Sequence, residues 1–181
     1  TTSVKMNMKK VARLAALAVL FLTGSCSAQT DKHNVAGGIQ WMSFEQAVQL
    51  NDQTPKKIFI DVYTDWCGWC KRMDASTFKD STVVEYIKEN YYAVKLDAET
   101  KDTIRFRDKV FVFKPEYKAN ELAVSLLNGK MGYPSFVVMD EKYTLLTPLS
   151  GFHTTAELMP ILTFFGSNKY QTMKWEDYPK Q

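Results

Sequence analysis

Cysteine and histidine are scarce in this chain: three cysteines and two histidines in 181 residues. That excludes a disulfide-rich scaffold, in which several bridges make up for a small core. It also excludes a zinc site built from these two residue types at one place in the chain. Cys67 and Cys70 supply two ligands of the four needed, while His33 and His153 lie far apart, so carboxylates or a second protein would have to complete the set. A positive excess is missing as well. The formal charge is +3, but Lys5, Lys9, Lys10 and Arg13 sit in an N-terminal segment without acids; 23 basic residues less these four leave 19 against 20 acidic ones. No basic footprint for nucleic acid remains. There is no internal repeat, no low-complexity tract and no apolar run that spans a membrane comfortably. A hydrophobic fraction of 45% and a charged fraction of 24% fit one globular domain.

Residues 1–28 read as an export leader. Lys9 and Lys10 precede an apolar run over residues 14–22, and small residues follow to Ala28. The expected start is Met6 or Met8, and the expected destination lies outside the cytoplasm. Two exits compete. In one, residues 22–26 form a loose lipobox, with its Leu one place too far upstream, and Cys26 becomes the lipid-bearing first residue of a membrane-anchored lipoprotein. In the other, cleavage follows Ala28 and the product is soluble in the periplasm. Residues 29–38 read as a polar tether, 39–169 as the folded domain and 170–181 as a C-terminal extension.

Within the domain, Ser43 with Gln46 three residues on forms a capping box that opens a short helix, with Phe44, Ala47, Val48 and Leu50 as its apolar positions. Residues 51–57 read as a turn around Pro55. Residues 58–63, IFIDVY, are apolar on both faces except for Asp61, as in a central strand. Helices are expected over 71–78 and 80–90, then a strand over 91–96. That order favours an α/β sheet containing a parallel pair. Residues 103–113 alternate as a hairpin or extended flap closed by Pro115. A helix over 116–127, strands over 135–139 and 144–149, and a last helix over 155–165 complete the chain.

The segment DWCGWCK, residues 65–71, carries the chemistry. With Cys26 in the leader, Cys67 and Cys70 can pair only with each other. A bridge enclosing two residues constrains little of the unfolded chain, which argues against a structural staple. At the first turn of a helix, the Cys67 sulfur would lie beside unpaired backbone N–H groups and the positive end of the helix dipole, which favour thiolate over thiol. Cys70, one turn later on the same face, could attack a mixed disulfide and expel the partner's sulfur. Such a pair is a two-electron couple. Transfer of copper or another soft metal is the alternative use of two thiols.

Residues 59–71, FIDVYTDWCGWCK, resemble the active-site region of thioredoxins: a strand with an acid six residues before the first cysteine, then WCGxCK. Met73, Thr77, Phe78, Asp80 and Val83 resemble exported thioredoxin-like proteins related to the C-terminal domain of transmembrane thiol reductases. Val94, Lys95, Leu96 and Asp97 are similar to the family's lysine-bearing strand, and residues 132–136, GYPSF, to its cis-proline loop. The resemblance covers roughly residues 56–165 in the right order. It implies a thioredoxin-like fold, with a central mixed sheet flanked by helices and a hairpin-like insertion, about 101–114, before the cis-proline loop.

The same resemblance implies roles. Cys67 would attack and Cys70 resolve. Asp61, its pKa raised in a low-dielectric strand, would exchange a proton with Cys70, and Lys95 would tune Asp61. Pro134 would be cis, and the backbone of Tyr133 would pair with an extended client segment. Trp66, Gly68 and Trp69 would add client-facing surface. No cofactor beyond the dithiol is implied. The implied partners are client proteins with cysteines or disulfides and an upstream thiol electron donor. The activity expected is that of a thiol-disulfide oxidoreductase in the bacterial envelope, most directly a reductase; the alternative is a metal chaperone or redox-inert binding module on the same fold. Trp69 stands where thioredoxins usually have proline, which leaves the direction of electron flow open.

Overall fold

The computed structural model describes residues 37–179, so the leader, Cys26 and most of the tether lie outside the described residues. The chain opens with a short strand, β1 (Trp41–Met42), that the sequence pattern did not announce. Helix α1 (Phe44–Gln53) follows, started by the reciprocal Ser43 and Gln46 hydrogen bonds at 3.1 and 2.8 Å. It runs three residues into the expected turn, to Gln53, because Asn51 is buried and organises the exit. Its Oδ1 accepts from Lys56 N at 2.7 Å, and its Nδ2 donates to Glu141 O at 2.9 Å.

Strand β2 (Lys57–Tyr63) leads into α2 (Gly68–Ala75), a 3-10 turn (Thr77–Lys79), α3 (Ser81–Asn90) and β3 (Tyr91–Asp97). Asp80 caps α3, its Oδ1 accepting from Thr82 N at 2.9 Å.

The insertion is larger than its sequence pattern suggested. β4 (Ile104–Phe106) and β5 (Lys109–Phe111) form the expected hairpin, but β6 (Phe113–Lys114) and β7 (Ala119–Asn120) form a second one. Pro115 therefore sits in a turn, not at the end of the insertion. The helix expected over 116–127 shrinks to α4 (Glu121–Leu126), because Ala119 and Asn120 are paired as strand and the Asn120 side chain caps the helix, accepting from Leu122 N at 3.0 Å. β8 (Ser135–Met139), β9 (Leu145–Ser150) and α5 (Thr155–Gly166) follow. Trp175 and Tyr178 of the extension fold back, with ring centroids 5.3 and 5.1 Å from that of Phe164.

The sheet order is β1-β3-β2-β8-β9, with β1, β3 and β2 parallel and β8 and β9 antiparallel. This is the mixed α/β sheet that the sequence predicts. Strand alternation divides β2 between two cores. Ile58, Ile60 and Val62 pack with Phe44 and Leu122 on one side; Phe59 packs with Phe78, Phe136 and Leu162 on the other. Asp61 alternates with Ile60 and Val62, so it points to the Phe59 side. In register it faces Lys95 on β3 and Phe136 on β8. Central placement removes Asp61 from water and puts a lysine beside it.

Candidate redox site

Cys67 and Cys70 are joined in a disulfide. Cys67 is the N-cap of α2: its Sγ accepts from Cys70 N at 3.1 Å, its carbonyl accepts from Lys71 N at 3.2 Å, and its own N–H donates to Thr64 O at 3.1 Å. A sulfur thus holds a position that an oxygen usually takes in N-capping, beside N–H groups that the helix leaves unpaired. Burial does not separate the cysteines, which are 4% and 3% exposed. Their places on the helix do.

A largely buried ionic chain joins the central sheet to α2. Lys95 Nζ is 2.5 Å from Asp61 Oδ2 and also bonds Asp74 Oδ1. The lysine and Asp61 side chains are 4% and 2% exposed, whereas Asp74 is 31% exposed. Trp41, Tyr63 and Phe78 surround the ammonium, with ring centroids 5.0, 5.0 and 5.4 Å away. Rings with negative faces partly replace the water that this cation has lost.

Burial pushes the Asp61 carboxyl up to about 6; Lys95 works against that shift, and Asp74 adds to it slightly. Asp61 Oδ1 is buried and has no hydrogen-bond partner among the described residues.

Asp74 escaped the sequence reading. It lies four residues after Cys70, one helical turn along α2, and so links the cysteine-bearing helix to Lys95 and Asp61. The i, i+4 spacing from a CXXC cysteine was the available clue. Thr64 was missed too; it is buried, and its hydroxyl has no partner among the described residues.

The Tyr133–Pro134 peptide is cis. Val62 is opposite Ser135, which puts Pro134 at the end of β2 from which the Cys67 loop departs. Gly151, at φ +101° where a side chain would be strained, donates its N–H to Pro134 O at 2.9 Å and ties the following loop to this turn.

Trp66 and Trp69 are 67% and 55% exposed. Trp66 meets the Tyr133 ring at 5.8 Å, and Trp69 meets Phe152 at 5.5 Å. Tyr133 is half-buried; burial first, then the Glu99 and Asp97 charges, push its phenol up to about 12. A Cβ built on Gly68 would meet nothing within 4 Å, so that position is open. Cys67 and Cys70 thus stand at the start of α2, with Gly68 and Trp69 between them, while Lys95 joins Asp61 to Asp74 near the far end of the same helix. Trp66 packs on Tyr133, the residue before the cis Pro134. Among the described residues no group of three or more His, Cys, Asp or Glu is placed to hold a metal ion.

A family model, Thioredox_DsbH, described as a protein of unknown function (DUF255), matches residues 22–150. The chain belongs to this family. As a Thioredox_DsbH member it stands among the thioredoxin-like disulfide oxidoreductases with a CXXC-type pair. It is 30% identical over 87 residues to an uncharacterized protein of Archaeoglobus fulgidus, covering 48% of this chain and 65% of that one. It is also 30% identical over 66 residues to the thiol:disulfide interchange protein DsbD of Pseudoalteromonas atlantica, covering 36% of this chain and 11% of DsbD. The chain thus spans less than two thirds of either relative. Among solved structures, a thioredoxin from Thermus thermophilus superposes with a TM-score of 0.59 at 16% identity, covering 80% of this chain and 99% of that one. A thioredoxin-fold protein from Helicobacter pylori gives 0.52 at 17% identity, covering 68% and 77%. These likenesses carry the fold.

Proposed function

We propose that this protein is a thiol-disulfide oxidoreductase that acts on protein disulfides in the bacterial envelope, most directly as a reductase. The supporting observation is a disulfide at the N-cap of α2, the helix whose Asp74 shares Lys95 with a buried Asp61 that burial has made a stronger base.

In the reduced protein, the Cys67 thiolate attacks one sulfur of a client disulfide. A mixed disulfide forms, and the client's other sulfur leaves as thiolate. Cys70, giving its proton to Asp61, then attacks Cys67 Sγ. The Cys67–Cys70 bond forms, the second client sulfur leaves, and it takes up a proton. The client gains two electrons and this protein loses two. An upstream thiol donor restores the dithiol by the same exchange in reverse. Lys95 holds the Asp61 carboxylate when it is charged. The backbone at Tyr133 and the cis Pro134 turn receive the client's extended segment, with Trp66, Gly68 and Trp69 around it. The dithiol needs no other cofactor. Export, by a lipid anchor at Cys26 or as a soluble form, would place this chemistry outside the cytoplasm.

Mixed-disulfide trapping tests the proposal. Cys70→Ser, incubated with oxidised client proteins, should accumulate a covalent adduct through Cys67 that disappears on reduction and is absent from Cys67→Ser/Cys70→Ser. Absence of the adduct would overturn the proposal and leave a metal chaperone or redox-inert binding module as the better account.

A further inference from the structure

The two exposed tryptophans on either side of Cys67 in the chain each hold a charged neighbour, an acid at Trp66 and a base at Trp69. On one side, the Trp66 indole N–H donates to Glu99 Oε1 at 3.0 Å, and Asp97 Oδ1 accepts from Glu99 N at 2.9 Å, so two carboxylates are pinned behind the Trp66 and Tyr133 rings. On the other side, the Arg72 guanidinium lies over Trp69 and Phe152, with its Cζ 5.3 and 5.8 Å from their centroids. Arg72 is exposed, and among the described residues no carboxylate forms an ion pair with it. The aromatic faces orient the guanidinium plane and leave its N–H edge available to a carboxylate.

We propose that the rim of the redox site is charge-polarised: clients are selected by a basic side chain on one side of the reactive cysteine, against Trp66 and Glu99, and an acidic one on the other, against Arg72. This rests on the oxidoreductase function proposed above and adds the substrate class. Arg72 can take a carboxylate edge-on in two parallel hydrogen bonds, whereas Glu99 and the Trp66 face both favour a lysine or arginine. Reversing the client's charge order puts like charges together at both ends, which slows encounter and weakens docking.

Two short peptides of identical composition test this, one with lysines before and aspartates after a single cysteine, the other with the order reversed. Each is offered as its disulfide-linked dimer, and kcat/KM is measured for the full domain. Because composition and net charge are equal, only the order can discriminate. At low salt one order should be reduced about five-fold faster or more, as a few screened charge contacts allow. The ratio should fall towards one at about 0.5 M salt, and Arg72→Glu should shrink it at low salt. Equal rates for the two peptides, or a ratio that Arg72→Glu leaves unmoved, would overturn the polarised rim while disulfide reduction stands. Reduction of neither peptide would overturn the oxidoreductase function, and the rim with it.

Discussion

Cys67→Ser should abolish disulfide reduction, lowering the rate by about 10³-fold or to the uncatalysed background. The reason is positional. Both cysteines are buried to the same degree, but the Cys67 sulfur accepts the Cys70 N–H and stands at the positive end of α2. On reduction, that N–H and the helix dipole favour negative charge on Cys67 over Cys70, whose sulfur sits a turn inside the helix. Serine at this site keeps the cap, because its hydroxyl accepts the same hydrogen bond, so the variant should fold. It has no nucleophile able to open a disulfide near neutral pH. The check is a turnover assay with an oxidised protein client and a thiol reductant. Residual turnover close to wild type would assign the attack to another group.

Asp61→Asn should slow turnover by about 10²-fold and flatten the rise in rate around pH 6, because the variant has lost the group that receives the Cys70 proton. A pH–rate profile of the single turnover checks it. The same substitution should act oppositely on stability. Asp61 has its carboxyl raised from 3.8 to about 6 in the folded state, so between these values the folded protein binds more protons than the unfolded chain. That contribution is fully present below about pH 4 and is lost as pH rises through 6. About two pKa units correspond to about 3 kcal/mol. Asparagine does not ionise. The stability of Asp61→Asn relative to wild type should therefore improve by about 2–3 kcal/mol between pH 4 and pH 7, measured by denaturant unfolding of the oxidised proteins. Asp74 remains to neutralise Lys95 in the variant. A residue that costs stability at neutral pH and yet is joined through Lys95 to the disulfide-bearing helix is readily explained by function.

Local chemistry made most of the sheet legible. IFIDVY is apolar on both faces and became the central strand; Ser43 with Gln46, and Asp80, placed two helix starts. Elements stabilised by partners distant in sequence were harder to see. β1 is two residues long and exists through its pairing with β3. Asn51 is a turn former by type, but its buried amide bridges Lys56 and Glu141, 90 residues from the latter. Ala119 and Asn120 carry no strong strand propensity, yet pairing with Phe113 and Lys114 overrides the helical pattern.

At the site, the cysteine pair was legible from its spacing, and the burial of Asp61 from its apolar neighbours. The placement of Lys95 depended on strand register, which sets it directly opposite Asp61. Asp74 and Arg72 look like ordinary exposed helix positions until the third dimension brings Lys95 to one and Trp69 with Phe152 to the other.

The reduction potential of the Cys67–Cys70 couple tests the central claim most directly. Trp66 and Trp69 flank the bond, so their fluorescence should follow its state across a series of thiol and disulfide buffers. A reductase should show a single two-electron transition more negative than roughly −220 mV, towards the thioredoxin range. A transition near roughly −120 mV, as in a strong oxidant, or no reversible transition at all, would contradict the account.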